Sequence, residues 1–334
     1  MRVPVYSCLD AAAWVTLAWI CAVVASQIPE DWKSYISPEI LVTHNGRDSV
    51  TLLYNTKLLE GDIEGIDRDA DVLNVTGVLA NFLDTSFSRW PNGLIPFQIS
   101  ETFTGEQQVT IKNALQKMSG ATNNCNRFVQ RVDHPNYLKF IGSTGCSSYI
   151  GRITEGEQII RLAPACLQQL GDVQHEVMHA LGFYHEMSRA DRDDYVRINY
   201  ETLQHDAKYN FDIFLRNTRT FGLPYDYASI MHYPAFAFAK DPWKPCIIPT
   251  TKFPHCIGQR DNLSFLDSIK IQIAYGCINE SQIKAMNWLQ YSRNNTMCSK
   301  VALRPNEEAE MEKSYYSRTF RWTSIKDVQM DLSV

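Results

Sequence analysis

His175-Glu176-Val177-Met178-His179-Ala180-Leu181-Gly182-Phe183-Tyr184-His185 is the stretch on which the reading of this chain turns. Residues four apart share one face of a helix, so His175 and His179 can offer two imidazoles to a single ion. Glu176 is rotated by about 100° from His175, which sets its carboxylate beside such an ion rather than on it. Gly182 can adopt a left-handed conformation, end the helix and turn the chain so that His185 arrives as a third ligand. Three neutral nitrogens with one open position describe a catalytic zinc and not a closed structural one. Unrelated histidines on a partly buried helix are the competing reading. Five fixed positions at about 5% each recur by chance in roughly one of 10,000 chains of this length, which disfavours it.

The string also requires a methionine turn downstream, and Ser229-Ile230-Met231-His232-Tyr233 supplies one. Around these segments the pattern alternates. Leu94–Ile99 reads as a strand, and Thr104 with Gln107 forms a capping box for a helix whose Ile111, Ala114, Leu115 and Met118 share a face. Residues 137–141 and 158–162 alternate as strands, a helix is expected over about 172–181, and another over about 264–275, closing at Gly276. Strand–helix alternation up to Gly182 suggests an α/β half, followed by a part made mostly of turns.

The chain has 334 residues, 45% apolar and 21% charged, with 32 Lys+Arg against 37 Asp+Glu, for a net charge of -5. A mildly acidic surface gives no footprint for nucleic acid. The apolar run Ala11–Ala25 ends in small residues and fits a secretory signal better than a bilayer span, an uncleaved anchor being the alternative. No later window is long and apolar enough to span a membrane. Of nine cysteines, Cys8 and Cys21 would leave with the signal; the other seven should mostly form disulfides in an exported protein, with Cys298 left over. Spacing alone does not choose the pairs. Sequons at Asn74, Asn262, Asn279 and Asn294 are compatible with export.

The segment His175 to Glu186, Arg189-Ala190-Asp191-Arg192-Asp193 and Ser229 to Tyr233 together resemble the astacin family of metzincin zinc endopeptidases, over about Trp90 to Cys277. The resemblance implies an α+β, zincin-like domain of two lobes separated by a substrate cleft. The N-terminal lobe would hold a twisted, mostly parallel sheet and two long helices, and the C-terminal lobe would be mostly irregular with one terminal helix. It implies one zinc per chain, held by His175, His179 and His185, with Glu176 as general base and Met231 in the methionine turn. It makes Tyr233 a further zinc ligand that swings to stabilise the oxyanion, and Glu186 the partner of a processed amino terminus. On the residues alone, Tyr233 reads equally as a core aromatic and Glu186 as a surface carboxylate. The resemblance pairs Cys125 with Cys277 and Cys146 with Cys166; Cys246 and Cys256 are additional and are expected to clip the intervening loop.

Leu59-Glu60-Gly61-Asp62 resembles the family's propeptide motif, with Leu59 where an aromatic is usual, and makes Asp62 the inhibitory zinc ligand of a proenzyme; a solvated acidic loop is the alternative. The expected organisation is a signal at 1–26, a propeptide at 27–80, a catalytic domain at 81–277 and a tail of open role at 278–334. Between Arg68 and Arg89 there is neither Lys nor Arg, so a trypsin-like cut near residue 81 has no site. Ser147 stands where an aromatic commonly follows the edge-strand cysteine, and Lys240, Lys244 and Arg260 are candidate contacts for acidic substrate residues. The expected product is a secreted, extracellular endopeptidase acting on protein or peptide substrates. The competing classes are a zinc-binding adhesion protein without turnover and a hydrolase of small amides; the intact Glu176 disfavours the first and the propeptide motif the second.

Overall fold

The computed structural model describes residues 55, 57–65, 89–153, 156–213, 220–241, 244–250 and 257–284. The expected signal, the sequons at Asn74 and Asn294, Cys8, Cys21, Cys256, Cys298 and nearly all of the tail lie outside the described residues.

In chain order the elements are β1 (Ile63–Glu64), β2 (Leu94–Ile99), α1 (Gly105–Ala121), β3 (Arg127–Gln130), β4 (Tyr137–Gly142), β5 (Ser147–Tyr149), β6 (Glu157–Leu162), α2 (Leu170–Ala180), β7 (Val196–Ile198), β8 (Ile247–Pro249), α3 (Phe265–Ala274) and α4 (Glu280–Lys284). Six strands form one sheet in the order β1-β5-β6-β4-β2-β3, and β7 and β8 form a separate pair. Every contact in the large sheet is parallel except that between β5 and β6. The mixed sheet with few helices is the α+β arrangement expected.

Local chemistry sets the helices. Thr104 caps α1: its hydroxyl accepts from the Gln107 amide while the Gln107 side chain accepts from the Thr104 amide, and Ser264 with Asp267 repeats this at α3. Ile111, Ala114, Leu115 and Met118 are the buried face of α1. They join Ile95, Leu138, Phe140, Ile160 and Leu162 from the sheet and Val173 and Val177 from α2 in the main core. Truncating a buried leucine such as Leu115 to alanine in such a core costs about 2–5 kcal/mol. At the start of α2, Gly171 donates its amide to Arg260 O at 2.9 Å, and an added Cβ would lie 2.1 Å from that oxygen. Only glycine lets α2 press so closely on this chain. At its other end Gly182, at φ +108°, reverses the backbone, and the indole of Trp90 donates to Ala180 O at 2.9 Å. A second core follows α2, built from Met187, Val196, Phe211, Tyr233, Phe238 and Ile247.

Cysteine pairing follows the resemblance at both of the pairs it implies. Cys125 is bridged to Cys277, with Cα atoms 6.0 Å apart, and Cys146 to Cys166 at 6.7 Å. Cys246, expected to pair with Cys256, is instead a buried free thiol. It sits in the second core, where it accepts from the Thr202 hydroxyl at 3.5 Å, and burial raises its pKa to about 11.

Candidate metal centre

One helix and one turn gather the three imidazoles. His175 and His179 lie one turn apart on α2, and the reversal at Gly182 brings back His185, all three buried. Each ring is held through Nδ1: His175 to Ile230 O at 2.7 Å, His179 to Phe183 O at 2.7 Å, and His185 to Glu60 Oε2 at 2.6 Å. With carbonyls and a carboxylate accepting at Nδ1, the proton belongs there, and the Nε2 lone pairs are turned inward. The Nε2 atoms of His175 and His185 are 3.2 Å apart. The Asp62 carboxylate reaches among them, at 3.2 Å from His175 Nε2, 3.4 Å from His179 Nε2 and 3.3 Å from His185 Nε2. One ligand atom from each of the four residues falls within 4.8 Å of all the others.

This set fits a zinc ion. His179 Nε2 and Asp62 Oδ1 are buried with no hydrogen-bond partner, and inward-facing lone pairs on several neighbouring acceptors repel one another unless a cation lies between them. Three nitrogens and one carboxylate oxygen form an ordinary four-coordinate zinc set. Burial holds His175 down at about 3, in the neutral form that ligation needs. Glu176, also buried, lines the same small cleft as Asp62 and His175, and its Oε2 has no hydrogen-bond partner. Burial first, and then the Asp62 charge, push its pKa well above the usual carboxylate range, toward that of a group able to take and return a proton.

The methionine turn lies beneath. Met231 is fully buried, and the turn hangs on α3: Asp267 Oδ1 accepts from Ser229 Oγ at 2.5 Å and Oδ2 from Ile230 N at 2.9 Å. Ile230 O then orients His175. Tyr233 is buried with its ring centroid 4.4 Å from that of His185, and its hydroxyl donates to the carbonyl of Glu60. Glu186 is buried too. Its Oε2 accepts from Lys270 Nζ at 2.5 Å, and its Oε1 from Arg189 Nη1 at 3.0 Å and from Asp226 N at 2.9 Å. Burial would raise its pKa, but the Lys270 and Arg189 charges outweigh that and lower it. The chain near residue 81 lies outside the described residues.

Sequence reasoning missed Glu60. It is fully buried at φ 47°, a conformation that bulky residues rarely adopt, and with Gly61 at φ 79° it forms the turn that closes between Leu59 and Ile63. Its carboxylate accepts from His185 Nδ1, from His185 N at 3.1 Å and from the Ser188 hydroxyl. Two positions beyond Asp62, Glu64 Oε1 accepts from Arg161 Nε at 2.8 Å and from the Ser147 hydroxyl. Carboxylates stand at 60, 62 and 64, every second position, a pattern that was available in the sequence. Leu59 packs with Ile63 against Tyr184. Of the three cations singled out for acidic substrates, Arg260 lines the cleft, paired with Asp172 at 3.4 Å, while Lys240 and Lys244 are exposed.

Residues 83–276 match the family model Astacin (Peptidase family M12A). Low choriolytic enzyme of Oryzias latipes is 37% identical over 226 residues, covering 66% of this chain and 79% of that protein. High choriolytic enzyme 1 of the same fish is 35% identical over 248 residues, covering 72% of this chain and 84% of its own length. Zinc metalloproteinase nas-14 of Caenorhabditis elegans is 34% identical over 247 residues; the match spans 67% of this chain but about half, 48%, of that relative. The solved structure of high choriolytic enzyme 1, described as a hatching enzyme zinc-protease, superposes with a TM-score of 0.52 at 37% identity, over 57% of this chain and 94% of that one. Fold, ligand set and kinship agree, and the chain belongs to the astacin family of zinc metalloendopeptidases, which act on proteins.

Proposed function

We propose that the chain is made as a latent, exported precursor in which Asp62 occupies the position of the catalytic water, and that removal of the leader yields an endopeptidase with Glu176 as general base. The observation that carries this reading is the Asp62 carboxylate set among three inward-facing imidazoles with Glu176 alongside. A bound zinc would be held by His175, His179 and His185, and would supply an acidified water and a positive charge beside the scissile carbonyl. Glu176 takes the water's proton and passes it to the leaving amine. Tyr233, whose hydroxyl here donates to the leader carbonyl of Glu60, donates to the substrate carbonyl oxygen once the leader has gone.

Substrate binding follows from the edge strand. The leader lies along β5 as a parallel strand, Ile63 opposite Ser148 and Glu64 opposite Tyr149, and its departure leaves that edge for an extended peptide. Exit through a secretory signal at 1–26, a propeptide at 27–80 and an extracellular site of action complete the proposal; among the described residues no helix is long and apolar enough to cross a membrane. The test compares the uncleaved precursor, its Asp62→Asn form and the leader-free protein on a denatured protein substrate. Silence of the precursor, activity of the other two, and loss of that activity to a chelator with return on adding zinc are expected. A precursor as active as the leader-free protein would end the latency reading.

A further inference from the structure

A fully buried ion pair, Lys270 with Glu186, stands behind the metal centre. Lys270, in the middle of α3, is fully buried, and its Nζ lies 2.5 Å from Glu186 Oε2. Burial raises the carboxyls of Asp226, to about 7, and of Asp267, and the Lys270 charge works against that rise at both. Burying an ammonium is costly unless its partners are fixed and complete, so a lysine in this place is held there for a reason beyond filling space. Asp267 and Lys270 are three apart on α3 and therefore face the same side. From that single turn Asp267 holds Ile230, whose carbonyl orients His175, while Lys270 holds Glu186, the residue next to His185. Glu186 is tied back as well, its amide donating to Met231 O at 2.9 Å. One helical turn thus grips the supports of the first and third imidazoles together.

We propose that Lys270 is a positioning residue of the metal centre: its ammonium, supplied from within the fold, fixes Glu186 and through it His185, so that the centre is assembled without a newly cut amino terminus. The proposal rests on the three imidazoles forming a zinc site and is independent of the latency reading. It also accounts for a leader whose expected cutting region lacks Lys and Arg: an amino terminus that is not a structural part need not be cut at a fixed residue.

The test measures zinc affinity by competition with a chromophoric chelator, on the full chain, for wild type, Lys270→Met, Glu186→Gln and the double variant, with folding followed by circular dichroism. Supports standing behind metal ligands are worth about 10–100-fold in affinity. Each single variant should weaken zinc by that factor and the double variant no more than the worse single, because the two residues act as one unit. A folded Lys270→Met chain that binds zinc as wild type does, or losses that multiply in the double variant, would overturn the proposal. Should Lys270→Met not fold, Lys270→Ala with propylammonium in the buffer replaces it; recovery of zinc binding is expected, and failure to recover counts against the proposal. Chains cut at engineered sites to begin at residue 79, 81 or 83 should bind zinc within about twofold of one another, and a tenfold gain confined to one of them would return the role to the amino terminus. A wild-type chain that binds no zinc would instead sink the metal-centre reading.

Discussion

Replacing Glu60 by alanine isolates the part of the leader that the histidine motif does not announce. The carboxylate accepts three hydrogen bonds, from His185 Nδ1, His185 N and the Ser188 hydroxyl, and it is fully buried. Hydrogen bonds to a charged group contribute about 1.5–3 kcal/mol each. Water entering the space left by the side chain recovers part of that, so a net loss equal to two bonds, ~3–6 kcal/mol, is a fair expectation. At about 1.4 kcal/mol per tenfold, the ratio of closed to open leader should fall by about 10²–10⁴. The hydrophobic cores of the domain should be unaffected, while His185 and Ser188 each lose a partner. The assay is hydrolysis of a quenched fluorescent peptide by the purified, uncleaved precursor, its intactness checked by mass, with the rate of zinc extraction by a chelator read in parallel. Glu60→Ala should show activity that wild type lacks and should release zinc faster. If it stays silent and holds zinc as wild type does while Asp62→Ala is active, the clasp resides in Asp62 alone and the reasoning about Glu60 is wrong.

Other outcomes follow from the same geometry. Glu176→Gln in the leader-free protein should retain stoichiometric zinc, measured by atomic absorption, and lose at least about 10²–10⁴ in kcat, the range ascribed to a general base; unchanged turnover would remove it from that role. Replacing Cys125 and Cys277 by alanine opens a loop of 152 residues and should lower stability to denaturant by about 5 kcal/mol. Burial raises the Asp172 carboxyl to about 6, with Arg260 pulling the other way, against about 3.9 in an unfolded chain. The folded state then binds the proton more tightly, so wild-type stability falls as pH rises from about 4 through 6. Asp172→Asn lacks that fall, and the gap between the two denaturation profiles should change by ~3 kcal/mol across the window; parallel profiles would contradict the shift.

What could be read from the sequence was what local chemistry decides. The two capping boxes and the apolar face of α1 are settled within a few residues, and so is the placing of two histidines one helical turn apart, with a glycine to return the third. Where the outcome depends on contacts across the fold, the sequence was silent or misleading. Nothing adjacent to Lys270 or Arg189 distinguishes a buried ion from a solvated one; their carboxylate partners Glu186 and Asp191 are three and two positions from Arg189, but Glu186 is 84 from Lys270. The strands β7 and β8 are three residues each and carry too little periodicity to register. Cys246, one of two additional cysteines expected to clip a loop, is a free thiol in the core beside Thr202, which nothing in its local sequence announces.

The acidic stretch at 60–64 lies between these cases, and the proposed latency would explain why it is charged. Asp62 stands among three inward-facing Nε2 atoms that a bound cation would bridge to it, while Glu60 and Glu64 accept from His185 Nδ1 and from Arg161. Within the stretch only Ile63–Glu64 is strand, so Glu60 and Asp62 reach the cleft from a turn and Glu64 from the strand that follows it. The turn at Glu60 and Gly61, both at positive φ, then reverses the chain immediately before the metal-facing residue. A solvated loop has no use for such a costly conformation at a glutamate, because strained backbone persists only where surrounding contacts over-determine it. The strain at Glu60 is held in place by the contacts of its carboxylate with His185 and Ser188, which a solvated loop would lack.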